Sequence, residues 1–457
     1  MKLALAEKQV PFVVFAVALA AYAAVAGPRL RRPSDDTHFV AQAAAWLDGR
    51  VDIAKWPPRA DDPARVEEVE LDDGRVVRGR RIMSLDVFRV AGGEEVPLAR
   101  VQRTVRTISY NSFPPFPSLL MLPQVMVAGE RANDVWFTIV CAAAVPAIFL
   151  LLLRRLRAAG LSQRTPSEEL WLTGLLAFGT VFFFSAVQGR VWFTAHVVGV
   201  LFAALYLLFS VEARHPLLAG IALACAGFTR TPMLFMFPIF LAEAWRMRPR
   251  DALGVTRFPP LLRQLAAFAA PVVAAGLVAA WYNYIRFGEA GEFGHSYLAV
   301  RQQAQIERYG LFNFHYLGRN LAVALTLLPD LTVRPPHVSI SGHGLAMWFT
   351  TPALVYLLWP RQRGPLHRVL WATVAVVAAF TLLYQNSGWV QFGYRFSLDY
   401  MVLLVVLLAI GARPLTRTFR ALVVVGVLIN LFGAVTFNRD PRYYRLDNAT
   451  YGSVVPH

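Results

Sequence analysis

Eleven apolar stretches recur along this chain, most of them separated by short polar segments and two followed by long loops. They run over 11–26, 134–153, 170–187, 191–209, 216–229, 231–247, 264–282, 344–359, 366–384, 398–411 and 419–437. Inside hydrocarbon every backbone polar group needs an internal partner, so stretches of this kind predict helices. Several fall short of the ~20 residues that cross a bilayer upright, so tilt, kinks or burial against neighbours are predicted. With 56% hydrophobic and 16% charged residues over 457 positions, the composition excludes an ordinary soluble domain. The expected fold is an all-α polytopic membrane protein of about 11 transmembrane helices, one unit over 1–457.

The net charge of +16 raises nucleic acid as a partner. The basic residues, however, lie in runs between apolar segments, which reads as topology and excludes nucleic acid. "RRLRAAGLSQR", "RMRPRDALGVTR", "RQRG" and "ARPLTRTFR" fall on one side if the amino terminus, with Lys2 and Lys8, is cytoplasmic. "AVAG" after the first run resembles a signal-peptidase site, but cleaved or retained, the run delivers the next loop outside. Two long loops, 28–133 and 283–343, then face the periplasm of a bacterial inner membrane, as does the C-terminal tail. The "NAT" at 448–450 is a short sequon with little weight there. Cys141 and Cys225 lie within apolar runs and read as packing residues, not a disulfide.

Within the first loop, "VEEVELDDGRVVRGRRI" alternates around Asp73-Gly74, and a second turn signal stands at Gly92-Gly93. These predict a two- or three-stranded β insertion over about 64–106, charged and solvated above the membrane. "YNSFPPFPSLLMLPQVMVAG" is apolar but broken by prolines, which predicts an interfacial or re-entrant element.

The polar residues near the apolar runs are one-sided. Asp35, Asp36, His38, Asn111, Arg190, Arg230, Asn283, Arg286, Glu289, His295, Arg319, Gln391 and Arg395 all fall at outer ends or in outer loops. Tyr297 and Tyr394 accompany them. Charge at a membrane boundary is costly and often functional, so a cavity under the two loops is the candidate site. His38, His295, His315, His337 and His343 are too widely spaced to predict a metal site, and no cofactor is predicted.

"SDDTHFVAQAAAWLDGRVDI" is similar to the acidic pair that opens the first outer loop in the GT-C superfamily of membrane glycosyltransferases. The nearest branch is that of the protein mannosyltransferases and aminoarabinose transferases (glycosyltransferase family 39-like). "SFPPFPSLLMLP" resembles the family's Lys-Pro-Pro-Gly-type segment, with Phe113 where a lysine is often found. "GFTRTPMLFMFP" looks like its helix break, "NYIRFG" its aromatic–Arg–Phe–Gly step, and "GWVQFGYRFSLDYMVLL" its element before a late helix.

The resemblance implies a polyprenyl-phosphate sugar donor drawn from the membrane lipids. It also implies a lipid, glycan or protein acceptor, and transfer with inversion. Asp35 or Asp36 would be the general base, a role worth roughly 10²–10⁴-fold, and relatives favour the first of the pair. Arginines would hold the departing phosphate, since the planar fork stays charged and binds bidentately. The substrate contacts would come from His38, Asn111, Arg190, Arg230, Arg286, His295, Tyr297, Gln391, Tyr394 and Arg395.

Plainer readings stand beside each of these. An Asp-Asp after a helix commonly caps or solvates a loop. Arg395 can snorkel, Arg286 can anchor, and Arg230 can satisfy carbonyls freed by Pro232. A transporter or flippase for a lipid-linked or anionic substrate also fits many helices, yet it predicts internal repeats and mid-helix charge. No clear repeat is visible. A non-enzymatic assembly subunit is the third reading.

Overall fold

The computed structural model describes residues 2–57, 62–252, 254–300 and 302–446, with side chains from residue 8 onward. The "NAT" sequon lies outside the described residues. Six helices among them are long and apolar enough to cross a membrane. They are α1 (Lys2–Ala26), α4 (Asp134–Ala158), α7 (Val191–Ser210), α10 (Phe258–Phe287), α14 (Pro365–Leu383) and α16 (Arg417–Thr436). Between α1 and α4 come α2 (His38–Leu47) and α3 (Phe116–Ala128).

The other five apolar stretches hold shorter or broken helices. α5 (Pro166–Phe178) starts at a Thr165–Glu168 capping box and stops at Gly179. There the Thr180 hydroxyl takes over hydrogen bonding to Leu176 and Phe182 before α6 (Phe182–Ala186). α8 (Pro216–Gly227) is followed by a 3₁₀ segment, Thr231–Met236, and then α9 (Pro238–Arg246). Pro232 and Pro238 each remove a ladder donor, which makes that break. α13 (Met347–Thr350) passes at Pro352 into a second 3₁₀ stretch, Pro352–Leu358. In α15 (Leu398–Ile410) every residue is buried, so this helix is apolar all round because protein surrounds it. Close approach is set by small residues: a Cβ on Gly220 would stand 2.1 Å from the Phe268 carbonyl oxygen, so α8 and α10 touch backbone to backbone.

The basic segments gather at one end of the bundle. Arg157 pairs with Glu169 at 2.8 Å, Arg246 with Glu243 at 2.7 Å, and Arg155 with Glu212. Arg164 donates to the carbonyls of Leu408 (2.6 Å) and Ala409 (3.2 Å), the unpaired C-terminal groups of α15. Arg413 stacks over Tyr356 and Trp359.

The opposite end carries the two long loops. The insertion is larger than the sequence predicts. It has five antiparallel strands, β1 (Ala64–Leu71), β2 (Val76–Ile82), β3 (Val87–Val90), β4 (Glu95–Pro97) and β5 (Val101–Tyr110), ordered β4-β3-β2-β1-β5. Both turn signals are hairpin turns, at Asp73-Gly74 and Gly92-Gly93. The short β3 and β4 add the uncounted strands, and β5 runs on to Tyr110 because Ile108 and Tyr110 bury themselves against Phe287 and Tyr297.

The second loop contains α11 (Gln303–Tyr309), α12 (Leu317–Leu325), β6 (Asp330–Leu331) and β7 (Val338–Ser341), and a strand that follows α16, β8 (Tyr444–Arg445), pairs with β7 to complete a small sheet. It is fastened to the insertion by an Ala64–Leu298 bridge, by Gly92 N–H to Glu289 (3.0 Å) and by Ser84 to Glu307 (2.7 Å). Together the loops form one roof. α3, at 13 residues, reaches about 20 Å, too short to cross alone.

Candidate active site

Asp35 and Asp36 precede α2, where the alanine-rich "AQAAAW" favours helix. Their segment is fixed at the backbone. Ser34 donates from N–H (2.8 Å) and hydroxyl (2.5 Å) to Asp134 at the start of α4, and Asp36 N–H donates to the Ser34 hydroxyl at 3.2 Å. The first amide of α7, Val191 N–H, donates to the Asp36 carbonyl at 3.2 Å.

Arg190, on the residue before α7, then spans both acids: Nη2 is 3.4 Å from Asp35 and Nη1 is 3.3 Å from Asp36. Gly189 makes that placement possible. Its φ is +74°, and a Cβ there would meet Val135 at 2.5 Å. The acids differ in access: the Asp35 side chain is 33% exposed and that of Asp36 only 3%.

A third carboxylate joins this pair. Asp62 lies just before β1, and its two oxygens accept from His38 Nε2 (2.8 Å) and Trp192 Nε1 (3.1 Å). The His38 ring is boxed by Trp56, Phe113 and Trp192. Burial opposes its protonation, but the hydrogen bond and charge of Asp62, with Asp36 alongside, hold its pKa above the usual histidine value.

A second group gathers around Asp399, at the start of α15. Arg230 donates bidentately to Asp399 at 2.9 and 2.6 Å, and His196 Nδ1 is 3.2 Å from the same carboxylate. Arg230 and Arg395 each stack over Phe396 at 5.4 Å. Arg395 donates to the carbonyls of Gly388 and Val390 (3.0 Å), and its amide donates to Gln391 Oε1 at 2.9 Å. The buried Arg395 Nε has no hydrogen-bond partner among the described residues.

Tyr384 lies between the two groups: its ring is 6.1 Å from Phe396 and 6.5 Å from His295, and the charges of Arg230, Asp62 and Arg395 all act on it. His295 belongs there too. Burial and Arg230 lower its pKa, against Glu292 and Asp62, which keeps the ring neutral.

Other predicted residues are placed elsewhere. Arg286 is enclosed by Tyr282 and Phe287 and donates to Tyr282 O (3.2 Å), Asn111 O (3.0 Å) and Asn283 Oδ1 (2.9 Å). Those bonds fasten α10 to the end of β5, so Arg286 and Asn111 form a joint of the roof. Tyr297 is in that joint, stacked on Phe287, its hydroxyl pushed up to about 12 by burial and by Glu292 and Glu289. Gln391 is wholly buried and donates to the carbonyls of His343 and Ser387, both at 2.8 Å. Tyr394 is buried with its hydroxyl 3.3 Å from Thr381. Arg319 reaches the Gln385 carbonyl at 2.7 Å. Among the described residues no three His, Cys, Asp or Glu side chains converge in a metal-holding group.

The sequence reading missed Asp62, His196 and Asp399. Asp399 and His196 interrupt apolar runs, a signal of intramembrane function. Asp62 carries no local mark, since "RADDPA" reads as a solvated turn.

No family model matches the chain, and no curated protein matches it. Two solved structures are similar to it. One is the Archaeoglobus fulgidus oligosaccharyltransferase in the apo form, with a TM-score of 0.46 and 13% identity, covering 94% of this chain and 56% of that one. The other is the archaeal oligosaccharyltransferase AglB from Archaeoglobus fulgidus in complex with an inhibitory peptide and a dolichol-phosphate. Its TM-score is 0.42 and its identity 11%, covering 97% of this chain and 57% of that one. The chain therefore spans a little over half the length of either.

Proposed function

We propose that the protein is a GT-C-type glycosyltransferase that moves a sugar from a polyprenyl-phosphate donor to a lipid, glycan or protein acceptor, with inversion. The reading places the amino terminus in the cytoplasm and the site at the periplasmic face of a bacterial inner membrane. The gathering of the arginine runs at the end away from the roof supports that orientation.

What supports the reading is an accessible carboxylate, Asp35, braced by Arg190, together with a buried guanidinium, Arg395, that keeps an unused donor. Asp35, the more open acid, takes the acceptor hydroxyl proton, and Arg190 sets its angle. The hydroxyl oxygen bonds to the anomeric carbon from the face opposite the phosphate. The carbon–oxygen bond to phosphate breaks, and its electron pair leaves with the polyprenyl phosphate. Arg395 stabilises the charge that develops there, with Arg230 behind it, in a water-poor site where such stabilisation is large. Asp36, more enclosed, orients the sugar or the acceptor.

A line of aromatic rings suits the lipid tail. Phe235 stacks on Phe380 (4.3 Å), Phe380 meets Phe312 (6.1 Å), Phe312 meets Tyr384 (5.5 Å), and Tyr384 meets Phe396 (6.1 Å). The line begins at exposed Phe235 and Phe312 and ends at the arginine pair.

The test uses the purified protein in liposomes with synthetic C55 polyprenyl-phosphate hexoses and pentoses, and envelope lipids, glycans and proteins as acceptors. Sugar appearing on an acceptor with release of polyprenyl phosphate supports the reading. Donor that crosses leaflets intact, with no release for any sugar, makes the protein a flippase instead.

A further inference from the structure

Asp62 lies at the centre of the site although 24 residues separate it from His38 and 130 from Trp192. It ends the strap that runs from α2 to β1, and its carbonyl accepts from the Ser112 hydroxyl at 3.2 Å. One short segment is therefore tied to α2, to α7 and to the chain leaving β5. His38 is the intermediary. Its Nε2 faces Asp62, and the charge and backbone of Asp36 lie on its other side. A protonated ring there is drawn to both carboxylates, through the Nε2–Asp62 hydrogen bond at 2.8 Å and through the nearby charge of Asp36.

We infer that Asp62 is a positioning residue for sugar transfer, clasping His38 so that Asp36, and with it Asp35, is held against Arg190. The inference rests on the transferase reading. The geometry is that of a clasp rather than a proton relay. Both Asp62 oxygens are engaged, by His38 and by Trp192, and His38 is wholly buried in its aromatic box. The remaining charged and titratable groups near the clasp are Arg190 beside Asp36, His295 and Tyr384, on both of which the Asp62 charge acts, and Arg230, which acts on the same two residues. His295 is neutral at pH 7, so it adds no competing charge to the clasp.

The clasp has a definite pH dependence. His38 is protonated more readily than a free histidine, so the ion pair persists to higher pH than it would for a free ring and is lost as pH rises through that raised value. Removing the Asp62 charge leaves burial as the dominant influence, and the loss then occurs at lower pH.

The test compares wild type, Asp62→Asn, Asp62→Glu and His38→Gln with the donor and acceptor that support highest wild-type turnover. Asp62→Asn should lower kcat by roughly 10–10²-fold, the scale of a small misplacement. The donor KM should stay within about twofold, because the arginine pair is untouched. The alkaline limb of its pH–rate profile should move to lower pH, Asp62→Glu should restore part of both effects, and His38→Gln should abolish the limb. Hydrogen–deuterium exchange over 48–57, corrected for intrinsic rates, should rise with pH in wild type and be high throughout in Asp62→Asn.

An Asp62→Asn enzyme with wild-type kcat and an unmoved limb overturns the inference and leaves the transferase reading intact. Equal losses in kcat and donor binding with an unmoved limb also overturn it, since they mark general damage. A wild type inactive with every donor overturns the reading itself, whatever the exchange experiment gives.

Discussion

Arg230 grips Asp399 through two hydrogen bonds, 2.9 and 2.6 Å, across 169 residues of sequence, and Asp399 has no exposed side-chain surface. A carboxylate so buried requires its partner. Asp399→Asn should destabilise the protein by about 3–5 kcal/mol, the range for breaking a buried pair from one side. The Arg230→Met/Asp399→Leu double variant should recover much of that stability while transferring sugar poorly. Unfolding in mild detergent measures the first effect, and unchanged unfolding of Asp399→Asn contradicts it.

Arg395 spends one nitrogen on the carbonyls of Gly388 and Val390 and leaves Nε without a partner among the described residues. A lysine has a single compact ammonium and cannot serve both demands. Arg395→Lys should weaken binding of polyprenyl phosphate about tenfold, a loss of about 1.4 kcal/mol. Equal affinity in wild type and variant removes Arg395 from the phosphate contact.

The orientation is tested by labelling. In a background lacking Cys141 and Cys225, cysteines at Ser84 and Thr332, exposed in the two roof loops, should react with an impermeant thiol reagent in spheroplasts. One at Ser167, exposed at the arginine-rich end, should react only after lysis. Reaction at Ser167 in sealed cells inverts the topology and moves the site to the cytoplasm.

The outline of this site is legible in the sequence because charge is conspicuous beside apolar runs. Asp35, Asp36, Arg190, Arg230 and Arg395 stand out for that reason; Arg190 spans the two acids, and Arg230 and Arg395 meet over Phe396. The two hairpin turns announce themselves through Asp73-Gly74 and Gly92-Gly93, whereas three- and four-residue strands are too short to show a period. Arg286 looks like a phosphate ligand in "NYIRFG", yet its role in the fold depends on where β5 ends, which only the packing of Tyr110 on Phe287 decides. Asp62 is illegible for a similar reason: its partners arrive from other segments. The apolar run 170–187 predicts a single helix, but Gly179 and the Thr180 hydroxyl end α5 where apolar character continues.

The acidic pair gives the most direct test. Asp35→Asn and Asp36→Asn change charge with little change in volume, and Ser34, Val191 and Asp134 keep the backbone in place. Both variants should fold and should bind polyprenyl phosphate at least as well as wild type, because the arginines remain. Transfer from the synthetic donor in reconstituted membranes should fall roughly 10²-fold or more in Asp35→Asn, the loss expected for a missing general base. It should fall less in Asp36→Asn, whose side chain is enclosed. Near-wild-type transfer by both single variants and by the double variant would contradict the assignment of this site to glycosyl transfer.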